Sequence, residues 1–581
     1  MYLFDTLHQA SNALSASQLG LQVAGQNLSN AQTPGYVREN LILETGTSRR
    51  LGNGTIIGTG VQVAGVVQVL DKFLEERLRH STSDAFASGT QEKYYTQLEA
   101  LLNETTESDL STEINEFFNS IDNVQNHPED VTYREMVAET GVRLTNDINR
   151  LGQAVMDMQR DVNKAINDAA GEINRLLGKI DSLNKNITLT ETKTGNQAVG
   201  LRDERLNALT ELSNYLNISV TEDEKTKGVT IYSGSDILLT DGFKAEVKIG
   251  AAAGKTVDDV IAAQLCLGDE MTPLDVRGGV VAGLYSAHQT ILGGYLKNLN
   301  DFAGELVTSF NSVYTSGQGL TGYTELNSIL RTENPDQAVG GVSNGGFTIQ
   351  LHNTKTGVTT ETFIEVREDD ILKNWDGSLP FGSIAGAGTT FNDLAAAINA
   401  VEGLTATVNS LGELEIGTDN ANVEFGFSND TSGVLAVLGL NTFFTGTVGA
   451  GNARLPIGIN QRVLDNPALF AASTGGIGHD ADNGVLLAVL GTTSNPKLDG
   501  YSLIGRYDGI IAGTMLSASS VKASAMSDAL YQQSLQAQRD SISGVNIDEE
   551  TILMMTYQRM FQANSRIVTI IDEMMSTLIA L

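Results

Sequence analysis

Apolar positions recur every seven residues at both ends of the chain. Near the start Leu7, Leu14, Leu21 and Leu28 form one column, and Ala10, Ser17 and Ala24 a second column three positions on. This is a coiled-coil seam made half of small residues, which let helices approach closely but bury little area, so the helix is expected to be marginal alone. At the other end Leu553, Met560, Ile567, Met574 and Leu581 repeat the step, with Tyr557, Asn564, Ile571 and Leu578 four positions after the first four. Asn564 is the polar position of that seam, suited to fixing register at some cost in stability. Asn546, with Glu549 three residues on, reads as the N-cap pair of this last helix. Such stripes usually mean core packing in a globular domain. Charge changes the picture here: between Met1 and Val37 the formally charged residue is Asp5 alone. A helix of that kind can be covered on several sides without desolvating charge, which suits packing of identical helices in an assembly.

The helical period continues through the middle. From Leu144 to Ile187 apolar residues alternate steps of four and three, with a stutter after Ala165. A helix of that length spans about 65 Å at 1.5 Å per residue. Tyr285, Leu292, Leu299, Leu306 and Val313 again fall seven apart and predict another. Long helices over 68–126, 130–190, 284–315 and 514–540 would build a rod-like bundle. Two regions break the period. Residues 218–271 and 335–446 carry short Val/Ile/Thr runs between Gly, Asp and Asn clusters, with a helical piece at FNDLAAAINAV, and read as β-rich.

The expected fold class is therefore α+β and multidomain: an elongated helical bundle with coiled-coil-like N- and C-terminal helices paired at one end, and inserted β-rich domains. The expected boundaries are 1–50 with 541–581 for a terminal helical assembly domain, and 51–217, 272–334 and 447–540 for the rod. Residues 218–271 form a small β-rich domain and 335–446 an outer one.

Composition narrows the function. The 581 residues carry 70 acidic against 37 basic side chains, a net charge of −33, which argues against a phosphate-binding surface and hence against nucleic acid. One cysteine, Cys266, cannot form an internal disulfide. No stretch reaches the 18 or so apolar residues of a membrane span, and the N-terminus lacks the pattern of a Sec-type signal peptide. A soluble protein is expected, leaving the cell, if it does, by another route.

Motif candidates for chemistry are weak. GQGLTG (Gly317–Gly322) matches a dinucleotide fingerprint in letters, but it follows a helix instead of a strand and reads as a helix-terminating loop. GAAAGKT (Gly250–Thr256) has one residue too few for a phosphate loop and reads as a flexible turn. HDADNG (His479–Gly484) begins like a calcium loop, but Gly491 stands where the bidentate Glu is required. The six histidines are scattered and there is no HExxH. No catalytic residue, cofactor or metal is expected.

GQNLSNAQTPGY (25–36) resembles the N-terminal motif of the flagellar rod, hook and hook-associated protein family, carried by Asn27, Leu28, Asn30, Ala31, Thr33, Pro34, Gly35 and Tyr36. Gln26 and Gln32 depart from the commoner Asn. LGLNTFFTG (438–446), SGVNIDEET (543–551) and YQRMFQANSRIVTIIDEMMSTL (557–578) are similar to the members that join hook to filament. The resemblance implies a structural protein that polymerises through terminal helices disordered in the monomer, with no enzyme activity. It implies export through the flagellar type III apparatus without a cleaved signal peptide, and an extracellular position at the hook–filament junction. The implied partners are further copies of the chain, hook protein, hook-associated protein 3, and an export chaperone bound through the C-terminal helix. Alternatives are another axial protein, hook protein or flagellin, or an adhesin using 335–446, where Trp375 is the only tryptophan.

Overall fold

The computed structural model describes residues 2–50, 56–103, 109–257, 260–368, 388–449, 452–478, 480–494 and 500–580. Trp375 and His479 lie outside the described residues, as does Leu581. Helix α1 (Tyr2–Asn30) leads into an antiparallel hairpin of Glu39–Thr45 with Val61–Gln68. Then come α2 (Lys72–Asn103), α3 (Leu110–Asn126), α4 (Val131–Thr194) and α5 (Val199–Tyr215). After a β region, α6 (Gly279–Ser286) runs through a π-helical turn at Ala287–Leu292 into α7 (Gly293–Tyr314). Helices α8 (Phe391–Asn399) and α9 (Val434–Leu438) belong to the outer domain, and α10 (Gln461–Asp465) and α11 (Asp482–Val489) follow it. The chain closes with α12 (Leu503–Ser543) and α13 (Ile547–Ala580).

The strut is α4, 64 residues long, about 96 Å at 1.5 Å per residue. Asp130 caps its start, accepting from the Thr132 N–H (2.9 Å), and Gly195 ends it in the left-handed region at φ 69°. Its apolar column from Leu144 to Ile187 is buried, Met158 and Ala165 partly so, against α3, α5, α7 and strand Val260–Leu267. Near one end Phe117, Phe310, Phe443 and Phe444 pack with ring centroids 4.9–5.8 Å apart. Asn311 fixes the Phe443–Phe444 backbone there, accepting from both N–H groups (3.1 and 3.0 Å) and donating to the Phe444 carbonyl (2.8 Å). The LGLNTFFTG segment thus plugs the rod core.

Several sequence expectations are corrected. The helix expected over 68–126 is two, α2 and α3, and α2 begins only at Lys72 because 61–68 is a strand. The helix through Tyr285–Val313 is interrupted by the π turn, where one extra residue is accommodated around buried His288, whose carbonyl accepts from Gln159 Nε2 (3.1 Å). GAAAGKT lies within strand Val247–Val257 and is not a turn, because Val247–Ala251 and Thr256–Val257 pair with Val260–Leu267. The boundary at 50 cuts the 39–68 hairpin. That at 446 cuts the hairpin of Phe444–Gly449 with Asn452–Ile459. The outer domain starts before 335, since Tyr323 bridges Phe425 and Glu325–Asn327 pairs with Leu414–Thr418.

That outer domain has its own core, with Phe347, Phe425, Phe427, Leu394 and Leu435 at its centre. The 218–271 region holds a four-stranded and a three-stranded antiparallel sheet, the latter including Thr272–Pro273. No described helix is long and apolar enough to cross a membrane.

Candidate functional site at the paired termini

Helices α1 and α13 lie antiparallel along each other, Asn27 meeting Glu550 and Gly20 meeting Tyr557. The small residues make the contact. Ala10, Ala16, Ser17, Gly20, Val23, Ala24 and Asn27 are buried on α1, whereas Leu7, Leu14, Leu21 and Leu28 flank that line half-buried. The predicted C-terminal seam divides in two. Tyr557 and Asn564 are half-buried and Ile571 is buried against the partner helix. Leu553, Met560, Ile567, Met574 and Leu578 are exposed, and with Ile552, Met555 and Ile570 they leave a long apolar face open to solvent. Such an extended exposed apolar face marks an interaction surface.

At the base of the pair sits a polar joint centred on Asn27, which is 1% exposed. Its Oδ1 accepts from the Tyr36 hydroxyl (2.8 Å) and the Glu39 N–H (3.0 Å). Its Nδ2 donates to the Glu39 carbonyl (2.9 Å) and to Glu550 (3.2 Å). One side chain thereby ties the end of α1, the following turn, the first strand and the start of α13. The turn Thr33–Tyr36 needs Pro34 and Gly35: the Tyr36 N–H donates to the Thr33 carbonyl (3.2 Å) and Gly35 has φ 77°. A Cβ at Gly35 would also run into the Asn207 side chain. Asn30 accepts from the Thr33 hydroxyl (3.2 Å) and donates to the Gln26 carbonyl (3.1 Å). Ala31 is half-buried, Leu28 likewise, and Pro34 is exposed.

Residues the sequence did not single out complete the joint. Arg38 pairs with Glu550 (2.7 Å) and Glu549 (3.1 Å), and its N–H donates to the Ser543 carbonyl (2.9 Å), so the two crossings between rod and terminal pair are bonded to each other. Asn546 caps α13 as expected, accepting from Asp548 N–H (3.0 Å) and Glu549 N–H (3.4 Å), but the Glu549 side chain turns to Arg38. On the rod side Asp203 of α5 accepts from Gln68 and the Val37 N–H. Burial, reinforced by nearby Glu39, pushes its carboxyl up to about 7. Burial also raises the Glu39 carboxyl and the Tyr36 hydroxyl, the latter with help from Glu39, Asp203 and Glu550. Below them Arg539 of α12 and Glu75 of α2 form a buried pair (2.9 Å). The sequence signal for this cluster was Arg38 itself, the first basic residue of the chain.

Among the described residues no group of His, Cys, Asp and Glu is arranged to hold a metal ion. The arrangement offers surfaces and a fixed angle between helix pair and rod.

Comparison with known proteins places these parts. Residues 95–327 match the family model of the flagellar hook-associated protein FlgK helical domain, and 536–581 match that of the flagellar basal body rod FlgEFG protein C-terminal region. Flagellar hook-associated protein 1 of Escherichia coli (strain K12) is 24% identical over 585 residues, covering 99% of both chains. That of Bacillus subtilis (strain 168) is 28% identical over 348 residues, covering 54% of this chain and 68% of its own. The solved flagellar hook junction protein FlgK from Burkholderia pseudomallei aligns with 81% of this chain and all of its own at 15% identity and a TM-score of 0.48. A rod-type C-terminal helix joined to a hook-associated helical domain defines an axial, self-assembling component of the bacterial flagellum. Within that class the chain is similar to flagellar hook-associated protein 1 over nearly its whole length.

Proposed function

We propose that the chain is a structural junction protein, polymerising between hook and filament through α1 and α13. The observation that carries this reading is the division of α13 into one face packed on the small residues of α1 and one apolar face, Leu553 to Leu578, left open. In a tube of identical subunits that face is covered by neighbouring terminal helices, and the hook-side and filament-side neighbours are hook protein and hook-associated protein 3. Before assembly the pair is formed but only marginally stable, because small-residue contacts bury little area against the entropy of ordering two long helices. An export chaperone covers the open face of α13, and the chain leaves through the flagellar export apparatus without a cleaved signal peptide.

Deletion in the source bacterium, followed by electron microscopy and an assay for flagellin in the medium, tests this. Bare hooks with flagellin shed into the medium are expected. Normal filaments would sink the junction role, and absence of hooks would move the protein down the axis.

A further inference from the structure

The N-terminal turns of α2 face α5 and strand Ser219–Glu222 across a cavity of about 360 Å³. A second cavity of about 590 Å³ adjoins it, sharing Gln68, Leu70, Lys72, Arg202 and Glu222. Four cations and three carboxylates line the smaller one: Lys72, Arg79, Arg202 and Arg205 stand against Glu75, Glu76 and Glu222, with Arg202 also paired to Glu191 (2.6 Å) behind it. Glu75 is already taken by Arg539 (2.9 Å), and Glu222 is shared between Lys72 (2.9 Å), Arg202 (2.8 Å) and Arg205 (3.4 Å). Arg79 is left over. It is 7% exposed, and its Nε has no hydrogen-bond partner among the described residues, although Glu75 and Glu76 stand one turn back on the same helix. Its buried Nε thus lacks a hydrogen bond, and its charge is balanced only through space by Glu75 and Glu76, a shortfall that a fully bonded structural ion network avoids. At the rim Phe73 is 69% exposed, and Leu70, Leu206 and Val220 continue the apolar wall.

We infer that this cavity receives an acidic side chain with an apolar neighbour from a second copy of the chain, an inference that rests on the polymerisation proposed above. With 70 acidic against 37 basic residues, a second copy offers carboxylates about twice as often as cations, and a pocket carrying an unbonded buried cation is where such a group is met attractively. The apolar wall and Phe73 fit a peptide segment and would go unused by a bare inorganic anion. The pocket also adjoins the joint: Gln68 lines it and binds Asp203, and Glu75 lines it and binds Arg539, so an occupant braces the angle of the terminal pair.

The test uses flagella isolated from cells in which residue 73 is a photo-reactive benzoylphenylalanine. Irradiation is expected to give a dimer of this chain joined through an acidic peptide. Arg79→Gln should cut its yield roughly tenfold or more, as for a lost charged hydrogen bond, without lowering the melting temperature of the purified full chain. Flagella containing the protein but giving no dimer, or a dimer yield indifferent to Arg79→Gln, would overturn the inference. So would a cross-link to a different axial protein, or an Arg79→Gln chain that melts early yet assembles normally. If millimolar inorganic phosphate raises the melting temperature of the natural chain and not of Arg79→Gln, the cavity binds a free anion and the inference also falls. The polymerisation reading fails separately, if the unsubstituted chain is missing from isolated flagella.

Discussion

The ring of Tyr557 lies on the backbone of Gly20, so closely that a Cβ at residue 20 would stand 2.6 Å from its Cδ1 and Cε1. Even one methyl group therefore displaces the Tyr557 ring from this close seat between the two terminal helices. Gly20→Val is expected to weaken the α1–α13 contact by about 1–3 kcal/mol, the usual cost of overpacking. Hydrogen exchange should show faster opening of 2–30 and 547–580 with the rod helices unchanged. Equal protection in both chains would mean the contact is not formed in solution.

Asn27 is the hub of the joint, and its loss leaves the half-buried Tyr36 hydroxyl and the buried Glu39 N–H without a partner. Asn27→Ala should cost about 2–4 kcal/mol in urea unfolding of the terminal pair, summing unsatisfied groups of 1–3 kcal/mol each. Asn27→Asp should be worse at neutral pH, because it sets a carboxylate against the Glu550 carboxylate and the Glu39 carbonyl, and should recover on acidification.

The sequence made the helices legible and hid the joint. Seven-residue columns located α1, α4 and α13 because each sets a continuous apolar stripe along one side of its helix, and Pro34–Gly35 located the turn. The division of the C-terminal seam was not legible, since heptad columns facing a partner helix and facing solvent look alike until the partner's place is known. The strand Val61–Gln68 falls within the expected rod because its pairing partner, Glu39–Thr45, lies across the expected boundary. Glu39, Asp203 and Glu550 meet from three distant parts of the chain, and no spacing announces such a meeting.

Asp203 gives the joint a pH response. Its folded-state pKa, about 7, lies above the ordinary carboxyl value of 3.8, so its contribution favours the fold fully below pH 3.8 and is lost as pH rises through 7. Arg539 beside it and the N–H of Val37 reduce this effect without reversing it. Asp203→Asn should raise the melting temperature relative to the natural chain at pH 8, with the gain shrinking toward pH 5. A gain independent of pH would show that the carboxyl is not protonated in the fold.

Arg539 and Glu75 are each nearly inaccessible and paired. Arg539→Met should destabilise by about 3–5 kcal/mol, because it strands a buried carboxylate. Adding Glu75→Leu should restore most of that loss, next to Leu74, Leu78 and Leu535. Calorimetry of the single and double variants checks both; additive losses would contradict the pairing.

The central claim is that the open face of α13 is an assembly surface. Ile567 is 42% exposed on that face. The decisive measurement is Ile567→Glu, read both as thermal unfolding of the purified chain and as incorporation into flagella in the source bacterium. An unchanged melting curve with no incorporation and shed flagellin is the predicted result. Normal filaments containing the Glu variant would contradict the account.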